Sequence, residues 1–206
     1  MKNQTKGRVT AIVVMLLCIV IAVPLGMHTS LAYKDNAALD AFYKGVSGEP
    51  SAMDVLTANR EVGENLVRNA QVIADDFSES ENGAALQAEL ETLKTTYRDF
   101  AQEADKSSQS RSRTEKLIES YNTFSEAAFA WISLADTAIQ SQSDNYQTYG
   151  TFRTKFMDNH ARLTGGAYNR EAALYNETFD EPLVQALKTV SFTEPLVIFH
   201  EQEAWS

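Results

Sequence analysis

The apolar and polar positions divide the chain into one unbroken apolar run and a series of helical stripes. Val9 to Met27 is almost continuously apolar, about 28 Å long at helical rise, which matches the hydrocarbon thickness of a bilayer. Tyr33 to Val46 extends that helix as a stalk until Gly48, Glu49 and Pro50 interrupt it. A new helix is predicted from Ser51, at capping-box spacing from Asp54, with Val55, Val62, Leu66, Ala70, Ile73 and Phe77 on one face. Ser78 with Glu81 offers the next cap, followed by the cleanest stripe in the chain: Leu86, Leu90, Leu93, Tyr97, Phe100 and Ala104. Lys106 to Arg113 is polar and loses the stripe, so it reads as a loop or an exposed kink. Ser112 with Glu115 then offers a cap for Leu117, Tyr121, Phe124, Ala128, Trp131, Ala135 and Ile139. The rhythm continues through Tyr146, Tyr149, Phe156, Leu163, Ala167, Leu174 and Phe179, with interruptions suggested near Gly150 and at Gly165-Gly166. Asp180-Glu181 before Pro182 marks an end, because proline disfavours helical geometry in the residue before it. Only Thr189 to Phe199 is a candidate strand.

The pattern predicts an all-α protein: a single N-terminal transmembrane helix followed by an antiparallel bundle of three to four long helices, each stripe buried by its neighbours. Its parts are a basic N-terminus (1–8), an anchor (9–27), a stalk (28–50), a bundle domain (51–188) and a C-terminal tail (189–206). The tail carries Phe192, Leu196, Val197, Ile198, Phe199 and Trp205. It is too apolar for a free acidic terminus and is expected to pack on the bundle.

Charge orients the molecule. Lys2, Lys6 and Arg8 precede the apolar run with no acid among them, so the positive-inside rule keeps the N-terminus in the cytoplasm and sends the C-terminal domain outside. The competing expectation is secretion after cleavage near Ala32, since Ser30-Leu31-Ala32 has the small residues a signal peptidase accepts. The whole chain carries a net charge of -10; with the three cations of residues 1–8 set apart, the part beyond the anchor carries -10 minus 3, or -13, which argues against nucleic acid as a partner. The only cysteine, Cys18, lies inside the apolar run. The soluble part therefore has no disulfide framework, thiolate metal site or cysteine nucleophile.

The most distinctive local feature is a pair of Tyr-Asn dipeptides, Tyr168-Asn169 and Tyr175-Asn176, seven residues apart, with a third, Tyr121-Asn122, on the preceding helix. Seven residues put both tyrosines on one face and both asparagines on an adjacent one. Such residues are expected to fill a helix seam with their rings and fix helix register with their amides; a ligand site is the alternative. Gly165-Gly166-Ala167, one turn earlier, admits another backbone or marks a kink.

These residues also resemble a known family. Asn59-Arg60-Glu61-Val62-Gly63-Glu64-Asn65-Leu66-Val67 is similar to the arginine-then-PNLV signature of the LemA family, with Glu64 where that family has proline. Ala167-Tyr168-Asn169 and Tyr175-Asn176-Glu177-Thr178 through Phe179 resemble its paired YN helix. Phe192 to Glu201, with Pro195 and Phe199, is similar to its closing segment. Asn65, Leu66, Val67, Tyr168, Asn169, Tyr175, Asn176, Pro195 and Phe199 are the motif residues so matched. The resemblance implies a single-pass bacterial membrane protein with a helical bundle and no catalytic residues to carry over.

The rest of the chain offers no chemistry to set against that. His28, His160 and His200 form no Glu-x-x-His pair of the di-iron type, and there is no phosphate loop, zinc pair or nucleophile elbow. No metal, cofactor or catalytic residue is expected, and His160 reads as an interface or surface residue. The favoured expectation is a non-catalytic, membrane-anchored interaction or scaffold module with a protein partner in the cell envelope. The alternative is an extracytoplasmic ligand-sensing bundle working through a membrane partner. Oligomeric state is left open.

Overall fold

The computed structural model describes residues 2–140, 146–180, 184 and 194–201, with side chains given except at most positions up to 24. Among the described residues the chain is all-α: α1 (Lys2–Lys44), α2 (Ala52–Asp76), α3 (Gly83–Ala104), α4 (Arg111–Ala138), α5 (Gln147–Thr164), α6 (Ala167–Glu177) and a 3-10 turn at Thr178–Asp180. Neighbouring helices run antiparallel. Asp75 of α2 meets Gln87 of α3 while Arg60 meets Tyr97. Glu103 of α3 pairs with Arg113 of α4 while Tyr97 meets Phe124. Tyr146, at the start of α5, reaches Asp76 at the far end of α2.

The stripes become the core. Leu66, Ala70 and Ile73 of α2, Leu86, Leu90, Leu93 and Phe100 of α3, and Phe124, Ala128, Trp131 and Ala135 of α4 are fully buried. Burying a large apolar side chain is worth about 1.5–3 kcal/mol, so these positions dominate the stability of the bundle. Gly63 sets how closely α2 approaches: a Cβ there would lie 2.9 Å from the Phe124 ring and 3.0 Å from Tyr97.

The ends of the helices depart from the expected pattern in several places. Ser51 does cap α2, its Oγ accepting from the Asp54 N–H at 3.0 Å. Asn82, without a side-chain bond, precedes α3 in place of Ser78. Ser110 rather than Ser112 caps α4, accepting from the Arg113 N–H, so the polar stretch is a loop only as far as Ser110. Gly150 lies inside α5 with open space about it, and the interruption expected there falls before Gln147. Gly165 and Gly166 form the break between α5 and α6. A Cβ on Gly166 would sit 2.5 Å from the Arg162 carbonyl oxygen, so the glycine permits a tight turn rather than the approach of another helix. Leu174, assigned to the stripe, is half-exposed, while Ala172 and Tyr175 beside it are buried.

The expected stalk is helical to Lys44, but it is not a free stem. Leu31, Ala38, Ala41 and Phe42 are buried, and α6 packs along this half of α1, with Lys34 reaching Leu174 and the Phe42 ring meeting Tyr168. Gly45 and Gly48, at φ 70° and 87°, then turn the chain into α2 through a conformation side chains rarely adopt. Among the described residues no helix is long and apolar enough to cross a membrane. Most side chains of the anchor run 9–27 lie outside that description.

Candidate functional site: a tyrosine–asparagine clamp

Residues 194–201 run extended over the seam between α4 and α6, antiparallel to α6 and without a β ladder. Their pairing partners are side-chain amides. Asn176 accepts the Leu196 N–H at 2.7 Å and donates to the Leu196 carbonyl at 2.8 Å. Asn169 does the same to Phe199, both bonds at 2.9 Å. From α4, Asn122 donates to the Ile198 carbonyl at 2.9 Å and accepts the His200 N–H at 3.2 Å. The hydroxyl of Tyr168 donates to the Val197 carbonyl at 2.6 Å, and that of Tyr175 to the Glu194 carbonyl at 3.4 Å.

The spacing of the two Tyr-Asn pairs follows from this geometry. Seven helical residues rise about 10.5 Å, and three residues of extended chain rise about 9–10 Å. Asn176 and Asn169 therefore fall level with Leu196 and Phe199. The same two residues carry the apolar contact: Leu196 is 3% exposed and Phe199 fully buried, whereas Ile198 is 38% exposed. The Phe199 ring lies 5.6 Å from that of Tyr121, 5.8 Å from Tyr168 and 6.5 Å, stacked, from Phe42. The two buried positions lie three residues apart, so they do not follow the two-residue alternation of a pleated strand. The asparagines do not fix the register of one helix against another. They fix the register of the tail.

Arg111, the first residue of α4, holds the other end. Its guanidinium meets Asp35 of α1 at 3.2 Å, Glu115 at 2.8 Å and the Tyr175 hydroxyl at 3.1 Å, and donates to the carbonyls of Glu194 and Pro195. Burial opposes its charge, but the bonds to Glu115 and Tyr175 and the nearby Asp35 more than offset that and hold its pKa above the ordinary value. Burial raises the Asp35 carboxyl, with Arg111 pulling the other way and Glu115 adding to the rise. His28, Leu31, Asp35, Arg111 and Tyr175 line a cavity of about 140 Å³, below the usual size of small-molecule sites.

Beneath Phe199 a buried polar chain crosses the bundle. Asn59 donates to the Tyr121 hydroxyl at 2.8 Å, and that hydroxyl lies 3.2 Å from His160 Nδ1. Burial lowers the His160 pKa to about 4, partly countered by the backbone of His200. Burial also raises the Tyr121 phenol. His160 is thus a neutral core residue, 5% exposed, not a surface one.

The residues singled out in the sequence do not all converge. Tyr168, Asn169, Tyr175, Asn176, Pro195 and Phe199 meet in the clamp, Pro195 through its carbonyl alone. Asn65, Leu66 and Val67 lie elsewhere on α2. The Asn65 amide bonds the Glu61 carbonyl of its own helix, Leu66 is buried, and Val67 is packed against the core. Arg111 is the clamp residue that sequence reasoning missed, hidden in a stretch read as loop. Phe192 and Trp205 lie outside the described residues. Among the described residues no three His, Cys, Asp or Glu side chains converge as a metal site. Comparison of the chain with protein-family models, with curated proteins and with solved structures returns no match.

Proposed function

We propose that the chain is a membrane-anchored, non-catalytic interaction module of the bacterial cell envelope, similar to the LemA family. Residues 9–27 span the cytoplasmic membrane, residues 1–8 stay inside, and the acidic bundle works outside, where it docks a protein partner. The observation that carries this reading is the continuity of α1. One helix of 43 residues runs from the basic N-terminus through the apolar run into the buried positions Leu31, Ala38, Ala41 and Phe42. An anchor of that kind holds the bundle rigidly at the membrane instead of trailing it on a flexible linker.

The test is in-cell crosslinking of the full chain in its native membrane, with mass spectrometry of the captured proteins and the mature N-terminus read from the same sample. An intact N-terminus and one envelope protein captured repeatedly are the expected result. A chain beginning near Tyr33 that captures nothing would overturn it and leave a secreted bundle.

A further inference from the structure

The buried chain of Asn59, Tyr121 and His160 joins α2, α4 and α5 through a single hydroxyl. A phenol has one hydrogen to give, while its oxygen can accept. Asn59 Nδ2 already donates to that oxygen, and among the described residues the other polar atom at the hydroxyl is His160 Nδ1. The hydroxyl hydrogen therefore points at Nδ1, and the neutral ring carries its own hydrogen on Nε2. One atom at each end of the chain is left over. Asn59 Oδ1 and His160 Nε2 are buried and make no hydrogen bond of ordinary geometry among the described residues, on side chains that are fully buried and 5% exposed respectively. Such atoms are costly to keep in a core.

The unpartnered Oδ1 gives the chain a second arrangement. A half-turn of the Asn59 carboxamide brings Oδ1 to the place of Nδ2, within 2.8 Å of the hydroxyl, where it accepts the Tyr121 O–H. The phenol oxygen is then free to accept from a hydrogen on His160 Nδ1. The half-turn exchanges one unpartnered amide atom for the other, so no hydrogen bond is lost. We propose that Asn59, Tyr121 and His160 form a two-way switch for one proton, its hydrogen bonds running from α2 to α5 when His160 is neutral and from α5 to α2 when it is charged. The proton comes from water and adds to the Nδ1 lone pair. No other covalent bond changes; only the hydroxyl hydrogen and the amide turn.

The surroundings leave that role to the chain. His160 faces the Tyr121 phenol and the Phe129 ring from α4, Phe156 of its own helix and the His200 backbone of the tail, with Asn59 of α2 behind Tyr121. Burial works against the charged ring and the His200 backbone works for it, with no carboxylate or cation among the causes. Glu126 and the His200 imidazole pair with each other at the surface, each 58% exposed. Burial raises the Tyr121 phenol, so it keeps its hydrogen throughout. One proton is thus felt in α2 through Asn59 and in the tail through the His200 backbone. The switch needs neither a membrane nor a partner and stands apart from the proposed docking role.

The test is an NMR titration of the full-length protein in detergent micelles, labelled with nitrogen-15 at histidine and asparagine, from neutral pH down through about 4. His160→Gln assigns the ring signals. We expect the Nε2–H tautomer at neutral pH, and Asn59 carboxamide signals that move with the same midpoint as the ring. Asn59→Leu offers no acceptor and should lower that midpoint by about one pH unit, the equivalent of one buried hydrogen bond. Asn59→Asp, a fixed acceptor, should raise the midpoint and turn the neutral ring to the Nδ1–H tautomer, so the two variants test the switch with opposite signs. An Nδ1–H tautomer in the unsubstituted protein at neutral pH would overturn the proposal, because the chain would already run from α5 to α2. So would Asn59 signals that ignore the titration, a midpoint indifferent to both substitutions, or unfolding in step with protonation, which would leave no folded acid form.

Discussion

An asparagine carboxamide carries the same donor and acceptor as a peptide group, so it can stand in for one rung of a strand. Asn169 does this for Phe199 and also donates to the Thr164 carbonyl at the end of α5. Asn169→Ala leaves those groups without their partner, at a cost of about 2–3 kcal/mol by the usual penalty for half-buried polar groups. Chemical denaturation measures that loss, and hydrogen exchange should find the Phe199 amide deprotected first. Asn65→Ala, whose amide bonds only its own exposed helix, should change stability by less than about 0.5 kcal/mol; equal effects would refute the distinction. His160 supports a second prediction. Its folded pKa, about 4, lies below the ordinary histidine value of 6.5, so between those values the unfolded chain binds a proton the folded one refuses. Stability then rises with pH across that window, is complete above it, and is lost as pH falls through it. The melting temperature of His160→Gln, measured against wild type from pH 7 to pH 4, should show a shallower fall; parallel curves would exclude His160 as the cause. The spacing of the Tyr-Asn pairs was visible in the chain, but its purpose was not. A helical repeat records which residues share a face and carries no sign of whether that face meets a helix or an extended peptide. Of the two readings of His160, interface or surface, only the surface one fails; its context is polar, Asp158-Asn159-His160, and only the fold brings Tyr121 and Phe129 against it.

At the level of elements, the apolar period was the legible signal. Leu86, Leu90, Leu93 and Phe100 and the stripe from Leu117 to Ala135 are buried where the period requires, with Tyr97 partly buried between them, because a helix buries what falls on one face. Breaks and caps were less legible. Several serines can each cap a helix start, and tertiary packing selects Ser110 over Ser112. Glycine likewise permits a break without demanding one, as the contrast between Gly150 and Gly166 shows. The α1–α6 pair was hidden for a different reason: Ala38, Ala41 and Phe42 form a stripe too short to distinguish a packed helix from a stalk. The tail is the element whose removal is most informative. Deleting residues 190–206 takes away Leu196 and Phe199 and strips the partners from three asparagines. The expected net loss is about 3 kcal/mol, on the order of 10 °C in a domain of this size, read by calorimetry on the otherwise intact chain. Phe199→Ala alone should give a large part of that loss. An unchanged melting temperature in the deletion would mean that the segment adds nothing to the fold and would point to a partner-binding tail.

For the whole molecule, the controlling relation is between the long first helix and the distribution of charge. α1 extends about 64 Å at helical rise. If its apolar part takes up the membrane, the bundle begins within a turn or two of the surface, because Leu31 is already buried in it. A chain of net charge -10 so close to anionic headgroups is repelled by them, which favours a bundle standing on its helix over one lying on the bilayer. In the proposed arrangement, the cations that precede the run set its direction. With Cys18→Ser as background, Asn3→Cys and Tyr33→Cys place a thiol on either side of the run, and Tyr33 is 76% exposed, so labelling there is not limited by the fold. A membrane-impermeant maleimide applied to intact cells should label Tyr33→Cys and leave Asn3→Cys untouched until the cells are opened. The reverse pattern would place the bundle in the cytoplasm and remove the envelope partner from consideration. Loss of the Asn3→Cys thiol from the mature protein, with Tyr33→Cys recovered from the medium, would mean that the run is a cleaved signal.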